Sequence, residues 1–282
     1  MKRLLSIELQ KIWLSKSSRI LTISYFFLLS TIALIGSIEF ELGPFKFEAA
    51  KSGIFNFPYI WHMSTYFASW LKLFLAVVIV SMIANEYSYG TLKQNLIDGL
   101  SKKEFILSKF YTIIFFGLIS TLFLFLICLV LGLNFSTYNE FSIITSDLEY
   151  FAAYFVKLIG FFSFCLFLGV LIKRSAFALG FLFIWWIFEN VFIGILKHKL
   201  FGYKYNDVTI FDTIKHYFPL ESMSNLIVEP VTRLNFIKSV GNTIGANFTK
   251  DYSVHFSQIV VVLVWIVIFM LMSYKLLKKR DL

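Results

Sequence analysis

The residues that could support catalysis are few and scattered along this 282-residue chain. The four histidines match no zinc motif such as H-E-x-x-H, and the two cysteines give no metal-ligand spacing. The sequence contains neither a G-x-x-x-x-G-K-[ST] phosphate-binding loop nor a G-x-S-x-G nucleophile turn. We therefore expect no catalytic residue, no metal site and no cofactor in this chain, and we do not expect it to hydrolyse ATP by itself.

Three ionisable residues, Lys72, Lys157 and Glu189, lie inside long apolar segments. A charged side chain at the centre of a bilayer costs at least about 2.5 kcal/mol on insertion scales and usually faces the interior of the helix bundle. Counting residues from the ends of the apolar segments places all three roughly 10 Å below the outer boundary of the membrane. One hypothesis is that Glu189 pairs with Lys157 or Lys72 and fixes helix packing or lines an exit path. The alternative is that each lysine extends alone toward the membrane surface.

The apolar segments that carry these charges indicate a membrane protein. Apolar residues make up 58% of the chain and charged residues only 15%, whereas soluble domains carry about 25% charged residues. Runs longer than roughly 18 apolar residues must be helices, because the bilayer core offers the backbone no other hydrogen-bond partner. We predict an all-α fold, with one transmembrane domain over residues 1–282. Its six predicted spans are 20–38, 66–84, 110–133, 150–172, 176–196 and 254–277.

The distribution of lysine and arginine predicts the orientation of these spans. If the N-terminus is cytoplasmic, fifteen of the 26 basic residues fall in inside segments and nine in outside segments, seven of them in the long loop 197–253. Long loops are weak indicators, and the short segments strongly favour cytoplasmic N- and C-termini. The loop 85–109 is then cytoplasmic, and the insert 197–253 is external. Because the net charge of +9 gathers beside span ends, we expect no nucleic-acid partner.

The cytoplasmic loop contains a short segment with sharp boundaries. Gly90 and Gly99 flank residues 91–98, which are enough for about two helical turns, and Gly99 suits a left-handed helix end. Ser101 and Glu104 have the spacing of a capping box, which predicts a new helix start there. Two interpretations stay open: a helix that docks on a cytoplasmic partner, or a plain connector between spans.

The N-terminal leader has helical periodicity. Leu5, Leu9, Ile12 and Trp13 fall on one face of a helix, and lysines and arginines supply positive charge around it. This pattern predicts an amphipathic helix at the membrane surface. A basic topology signal without that helix is the alternative.

The pattern E-x-x-x-G-T-x-x-x-x-L-x-x-G-x-S-[KR]-x-x-F-x-x-x-K in the cytoplasmic loop resembles the loop after the second span of ABC-2 type transporter permeases. The matching residues are Glu86, Gly90, Thr91, Leu96, Gly99, Ser101, Lys102, Phe105 and Lys109. We include Lys103 and Glu104 in the predicted docking loop. The family usually has arginine after the serine, and Lys102 and Lys103 keep the charge but not its bidentate geometry.

This resemblance implies a function and a set of partners. Such permeases are dimers bound to ATP-binding cassette subunits, and the short loop helix is their coupling helix. It therefore implies a multi-pass permease subunit of an ABC exporter in the bacterial cytoplasmic membrane. Its expected partners are a separate cassette ATPase that carries ATP and Mg, a second or homologous permease, and the lipid bilayer. The alternatives are a non-transporting membrane scaffold or immunity-type protein and a secondary transporter. The sequence does not identify the substrate.

Overall fold

A computed structural model describes residues 2–35, 39–42, 45–48, 53–201, 214–233 and 250–280. The helices, in chain order, are α1 (Lys2–Leu14), α2 (Lys16–Ile35), α3 (Tyr59–Ala68), α4 (Lys72–Ser88), α5 (Thr91–Ile97), α6 (Lys102–Phe135), α7 (Phe141–Ile144), α8 (Glu149–Ile172), α9 (Ser175–Phe201), α10 (Pro219–Asn225) and α11 (Phe256–Lys279). The helical bundle agrees with the predicted all-α fold. Outside it, β1 (Glu39–Leu42) and β2 (Phe45–Glu48) form an antiparallel hairpin, with Glu39 opposite Glu48.

Five helical segments in the described ranges are long and apolar enough to cross a membrane, as expected of a multi-pass membrane protein. They are Tyr59–Ser88, Lys102–Phe135, Phe141–Ile172, Ser175–Leu196 and Phe256–Lys279. They correspond to the second to sixth predicted spans. The first predicted span, 20–38, overlaps α2, which is not among the five, and residues 36–38 lie outside the described residues. The six-span topology and its orientation therefore remain predictions.

The second span begins earlier than predicted. It starts at Tyr59 rather than at residue 66, and a 3-10 turn, Ser69–Leu71, separates α3 from α4. The added part of the segment contains the polar residue His62, whose Nε2 atom is 2.7 Å from the Val228 carbonyl oxygen. Lys72 consequently lies about 20 Å along this helical segment from its first residue. It is near the middle of this helical segment, and its depth below the outer boundary of the membrane stays a prediction.

Helix α8 forms the centre of the bundle. It packs against α4, α6, α9 and α11. In the span that contains α8, 72% of the most apolar stretch is buried. In the α9 span, only 11% of the corresponding stretch is buried. The hydroxyl groups of Tyr154 on α8 and Tyr25 on α2 form a hydrogen bond of 3.1 Å, and neither residue is accessible to solvent. The central helix is thus enclosed by the other spans, and α9 presents an open apolar face.

Candidate functional site

The short helix predicted in the loop after the second span is present as α5, which joins α4 to α6. It spans Thr91–Ile97 and ends one residue before the predicted end. Gly90 before it has φ +70° and Gly99 after it has φ +96°. Glycine adopts this left-handed conformation without the steric cost that a Cβ atom brings. Both loop glycines therefore have a local structural role in setting the ends of α5.

The predicted capping box starts α6. The Ser101 Oγ atom accepts a hydrogen bond from the Glu104 backbone N–H at 3.1 Å, and the Ser101 N–H donates to Glu104 Oε2 at 2.9 Å. Two of the free N–H groups at the helix start are thus satisfied by these two residues. Lys102, in the first turn, donates to the carbonyl oxygen of Arg280 at 2.8 Å. The start of α6 is therefore fixed both locally and by the end of the chain.

Glu86, at the end of α4, connects three other helices through its carboxylate. Its Oε1 atom accepts from the ammonium groups of Lys11 and Lys109, each at 2.8 Å. Its Oε2 atom accepts from the Thr91 hydroxyl at 2.6 Å and from the Asn95 amide at 3.3 Å. Lys11 lies on α1, Thr91 and Asn95 lie on α5, and Lys109 lies on α6. One buried carboxylate thus ties the short helix to three longer ones.

Glu8 of α1 completes this network of charges. Its carboxylate accepts from Lys109 at 2.5 Å and from Lys11 at 3.4 Å. Glu8, Glu86 and Lys109 are 4%, 3% and 0% exposed. Two carboxylates therefore balance two ammonium groups, and three of these four charged side chains are nearly inaccessible to water. We call Glu8, Lys11, Glu86, Thr91, Asn95 and Lys109 the buried network.

Lys11 is the member of the buried network that water reaches most easily, with 40% of its side chain exposed. Burial lowers the pKa of Lys11, but hydrogen bonding to Glu86 and the negative charges of Glu8 and Glu86 outweigh that effect. The net result is a pKa above the usual lysine value of 10.5. Lys11 is thus positively charged at neutral pH and contributes to the charge balance.

Sequence reasoning found only part of this network. The loop pattern points to Glu86, Thr91 and Lys109, but not to Asn95 of the same loop or to Glu8 and Lys11 of α1. The sequence predicts a membrane-facing apolar side of α1 that includes Trp13, and Trp13 is 55% exposed on the surface of the bundle. The side of α1 that is buried carries Glu8 together with Ile12, one turn apart. The lone acidic residue in a basic leader was the available signal.

The outer side of α5 and its flanking turn is open. Tyr89 is 77% exposed and Ile97 is 75% exposed, and Lys93 and Gln94 between them are exposed as well. On the opposite side, Leu92 is 2% exposed and packs in the core. Predicted site residue Leu96 is partly buried against that core, and Lys103 is exposed at the start of α6. We call Tyr89, Lys93, Gln94 and Ile97 the α5 surface.

Arg280 joins the end of the chain to the same end of the bundle. Its guanidinium group donates to the backbone carbonyls of Val170 at 2.5 Å and Leu171 at 3.0 Å, and to the Tyr87 hydroxyl at 3.1 Å. These are terminal carbonyls of α8, which lack partners within that helix. The basic tail, which indicated only topology in the sequence, therefore also caps the central helix.

The hypothesis of a direct pair between Glu189 and a lysine is wrong for the described residues. The Glu189 carboxylate accepts from the Glu221 backbone N–H at 2.7 Å and from Trp185 Nε1 at 3.0 Å. Lys157 instead donates to the Ser224 carbonyl oxygen at 3.3 Å. Glu221 and Ser224 lie near opposite ends of α10. A carboxylate at the start of a helix and an ammonium at its end both suit the helix dipole, so α10 stands between the two charges.

Lys72 has a different environment. Its ammonium lies 4.6 Å from the centroid of the Phe161 ring on α8. No carboxylate in the described part of the chain is within ion-pair distance of it. A cation–π contact contributes about 0.5–2 kcal/mol. The described residues likewise contain no group of three or more histidine, cysteine, aspartate or glutamate side chains placed to hold a metal ion.

Comparison with known proteins gives a family but no activity. The chain is 38% identical over 63 residues to "Uncharacterized protein YhcI" of Bacillus subtilis (strain 168). That match covers 22% of this chain and only 20% of the length of the relative. The family described as "Protein of unknown function (DUF2705)" matches residues 20–282, well over half of the chain. The chain therefore belongs to the DUF2705 family.

Proposed function

We propose that this chain is the membrane-spanning permease subunit of an ABC exporter, with ATP hydrolysis on a separate cassette ATPase. The observation that carries the proposal is the arrangement of α5. This helix joins two spans, is held from behind by the buried network, and presents Tyr89 and Ile97 outward. An exposed aromatic and an exposed aliphatic side chain on a fixed surface suit a protein partner better than a plain connector.

The topology that the proposal needs is the one that the sequence predicts. Six spans with cytoplasmic termini put the α5 surface in the cytoplasm, where a cassette ATPase would meet it. A second copy of the chain or a homologous permease would complete the transport path in the bacterial cytoplasmic membrane. The open apolar face of α9, where only 11% of the most apolar stretch is buried, leaves room for such a contact or for lipid.

The proposed mechanism runs from the α5 surface into the bundle. The partner ATPase binds α5 and shifts it when ATP closes the cassettes. Because Glu86 accepts hydrogen bonds from α5 and from the lysines of α1 and α6, a shift of α5 pulls on α1, α4 and α6 together. These helices include the second and third predicted spans. Coupled movement of those spans would open the path toward the outer side.

A purification from native membranes in mild detergent tests the docking step. The wild-type chain is expected to carry a stoichiometric cassette ATPase, identified by mass spectrometry. For the double variant Tyr89→Ser/Ile97→Ser, the amount of ATPase that co-purifies is expected to fall at least about tenfold, because exposed aromatic anchors dominate such interfaces. The matched control is Tyr138→Ser/Phe141→Ser, which removes a tyrosine and a phenylalanine that are 54% and 80% exposed at the other end of α6.

Two results would contradict the proposal. In the first, a well-folded wild-type chain is purified without any ATPase, which would favour a scaffold, an immunity-type protein or a secondary transporter. In the second, both double variants retain or lose the ATPase equally, which would place the docking surface away from α5. A replacement of Thr91–Ile97 by a Gly/Ser linker tests the whole helix in the same assay.

A further inference from the structure

Two lysines approach one another around a phenylalanine ring in the middle of the bundle. Lys157 and Phe161 are four residues apart on α8 and therefore lie one above the other on one face of that helix. The Lys72 ammonium of α4 reaches over the Phe161 ring, 4.6 Å from its centroid. Lys157 thus stands one turn from the ring that Lys72 contacts. Two lysine side chains therefore share a small region between α4 and α8.

Lys72 points into the bundle rather than toward lipid. Its neighbours three and four residues away are Ala68, Ser69, Leu75 and Ala76, and none of these is more than 3% exposed. Three of the four are small and closely packed, so this side of α4 is buried in the bundle. Lys72 itself remains partly exposed although its neighbours are sealed. Lys72 therefore keeps some accessible surface beside closely packed neighbours, and its ammonium faces the Phe161 ring of α8.

The two lysines are short of partners. Lys157, 3% exposed, has one acceptor in the described ranges, the Ser224 carbonyl oxygen, although an ammonium can donate three hydrogen bonds. Lys72 has only the Phe161 ring there. Glu189, the acidic residue expected to balance them, is bound at the start of α10 instead. Two neighbouring lysines for which the described residues supply no anion are costly to keep charged in a low-dielectric interior, and a negatively charged ligand would stabilise their charged forms.

We propose that Lys72 and Lys157 bind the phosphate or carboxylate head of an anionic amphiphile, whose apolar tail lies among the aromatic side chains of the spans. Phe161 is positioned beneath the head group and would contact the first carbons of the tail. Two sources share this chemistry: a phospholipid of the membrane or the molecule that the chain exports. The second source rests on the proposed function, whereas binding itself does not.

Direct binding of radiolabelled dodecyl phosphate to the purified chain in phosphatidylcholine nanodiscs tests the site. Saturable binding is expected, and Lys72→Gln is expected to weaken it at least about tenfold, the loss typical of one charge-assisted hydrogen bond. Lys72→Arg keeps the charge and is expected to retain binding. Lys93→Gln, which removes an exposed lysine of the α5 surface, is the matched control and is expected to bind as the wild type does.

Lys72→Gln is a suitable variant because it removes a charge that has no described anionic partner, so folding is not expected to suffer. Lys157→Gln serves as the second variant and is also expected to weaken binding. The uncharged dodecyl maltoside and the cationic dodecyltrimethylammonium are expected not to compete with dodecyl phosphate. Competition by either one, or binding to Lys72→Gln with wild-type affinity, would overturn the proposal.

Replacing part of the phosphatidylcholine by phosphatidylglycerol distinguishes the two sources. If phosphatidylglycerol competes with dodecyl phosphate, the site binds a membrane lipid. If dodecyl phosphate binds equally well in both kinds of nanodisc, the site selects a single-chain anionic amphiphile of the kind that could be exported. Because the assay uses the chain without any ATPase, a failure of this proposal is distinct from a failure of docking at the α5 surface.

Discussion

At the scale of single residues, the main feature is that the two oxygens of the Glu86 carboxylate bind different sets of groups. Glu86 directs one oxygen to the lysines of α1 and α6 and the other to the hydroxyl and amide of α5. The first set neutralises its charge, and the second holds the short helix. Both oxygens accept hydrogen bonds, and Glu86 is only 3% exposed. Removal of either set therefore has a separate and predictable effect.

The charge-balancing set can be tested at Lys109, which is fully buried. Lys109→Met leaves the carboxylates of Glu8 and Glu86 in a dry environment with only Lys11 to balance them. Loss of one partner of a buried ion pair costs about 3–5 kcal/mol, so a drop of that size in the free energy of unfolding is expected. Titration of the purified protein with a denaturing detergent measures it.

The control for this prediction is Lys93→Met, an exposed lysine whose loss is expected to change stability by less than about 0.5 kcal/mol. Adding Glu8→Gln to Lys109→Met is expected to recover part of the lost stability, since it removes one of the unbalanced charges. Equal stability of the Lys109 and Lys93 variants would show that the network contributes nothing to folding.

At the scale of elements, α10 explains how charged residues are accommodated in apolar surroundings. Its first turn donates to Glu189, and its last turn accepts from Lys157. The seven-residue helix is thus placed between charges of the sign that each end prefers. Pro219 begins this helix, where a missing N–H costs nothing. Helix α10, within the insert before the last span, is therefore anchored in the bundle by two side chains as well as by apolar packing.

This anchoring predicts which of two Glu189 variants loses more stability. Glu189→Gln keeps an oxygen that can accept from the Glu221 N–H but loses the charge, whereas Glu189→Ala loses both. We expect a modest loss of stability for the glutamine and a larger one, about 1–3 kcal/mol more, for the alanine, because a buried N–H is then left without a partner. Thermal unfolding in detergent measures the order, and Glu149→Ala, at the exposed start of α8, is the control. Identical stability of the two Glu189 variants would mean that α10 is held by other contacts.

Sequence patterns predicted those elements that depend on local chemistry. The capping pair of Ser101 and Glu104 and the two glycines around α5 were read from spacing alone, because each acts within a few residues. The contacts of Glu8 with Lys109 and of His62 with Val228 were not predicted, because 101 and 166 residues separate the partners. The early start of the second span was missed for the same reason. A histidine that would be costly alone becomes acceptable through a distant carbonyl.

At the scale of the whole molecule, the buried network and the contacts of Arg280 lie at the same end of the bundle. The buried network joins α1, α4, α5 and α6, and Arg280 joins the tail to α8 and to Tyr87 of α4. Helices that are tied at one end can move as a unit while their other ends separate. The two-lysine site lies on α4 and α8, which belong to the linked set. The proposed docking surface and the proposed anion site are therefore mechanically connected through α4.

The proposed link between docking and transport can be weakened without removing either site. Thr91→Val keeps the shape of the side chain but removes the hydroxyl that donates to Glu86 at 2.6 Å, while Tyr89, Ile97 and the ion pairs stay in place. We expect the variant to bind the partner ATPase within about twofold of the wild type, since the α5 surface is unchanged. We expect it to lose much of the stimulation of ATP hydrolysis by the transported molecule, because α5 then pulls on Glu86 only through the longer hydrogen bond from Asn95, at 3.3 Å. Thr121→Val removes a hydroxyl that donates only to the carbonyl of Gly117 within the same helix, so it is the matched control and is expected to retain the stimulation. Normal stimulation in Thr91→Val would show that force passes from α5 to the spans through the backbone at Gly90 and Gly99, and that the buried network serves stability alone.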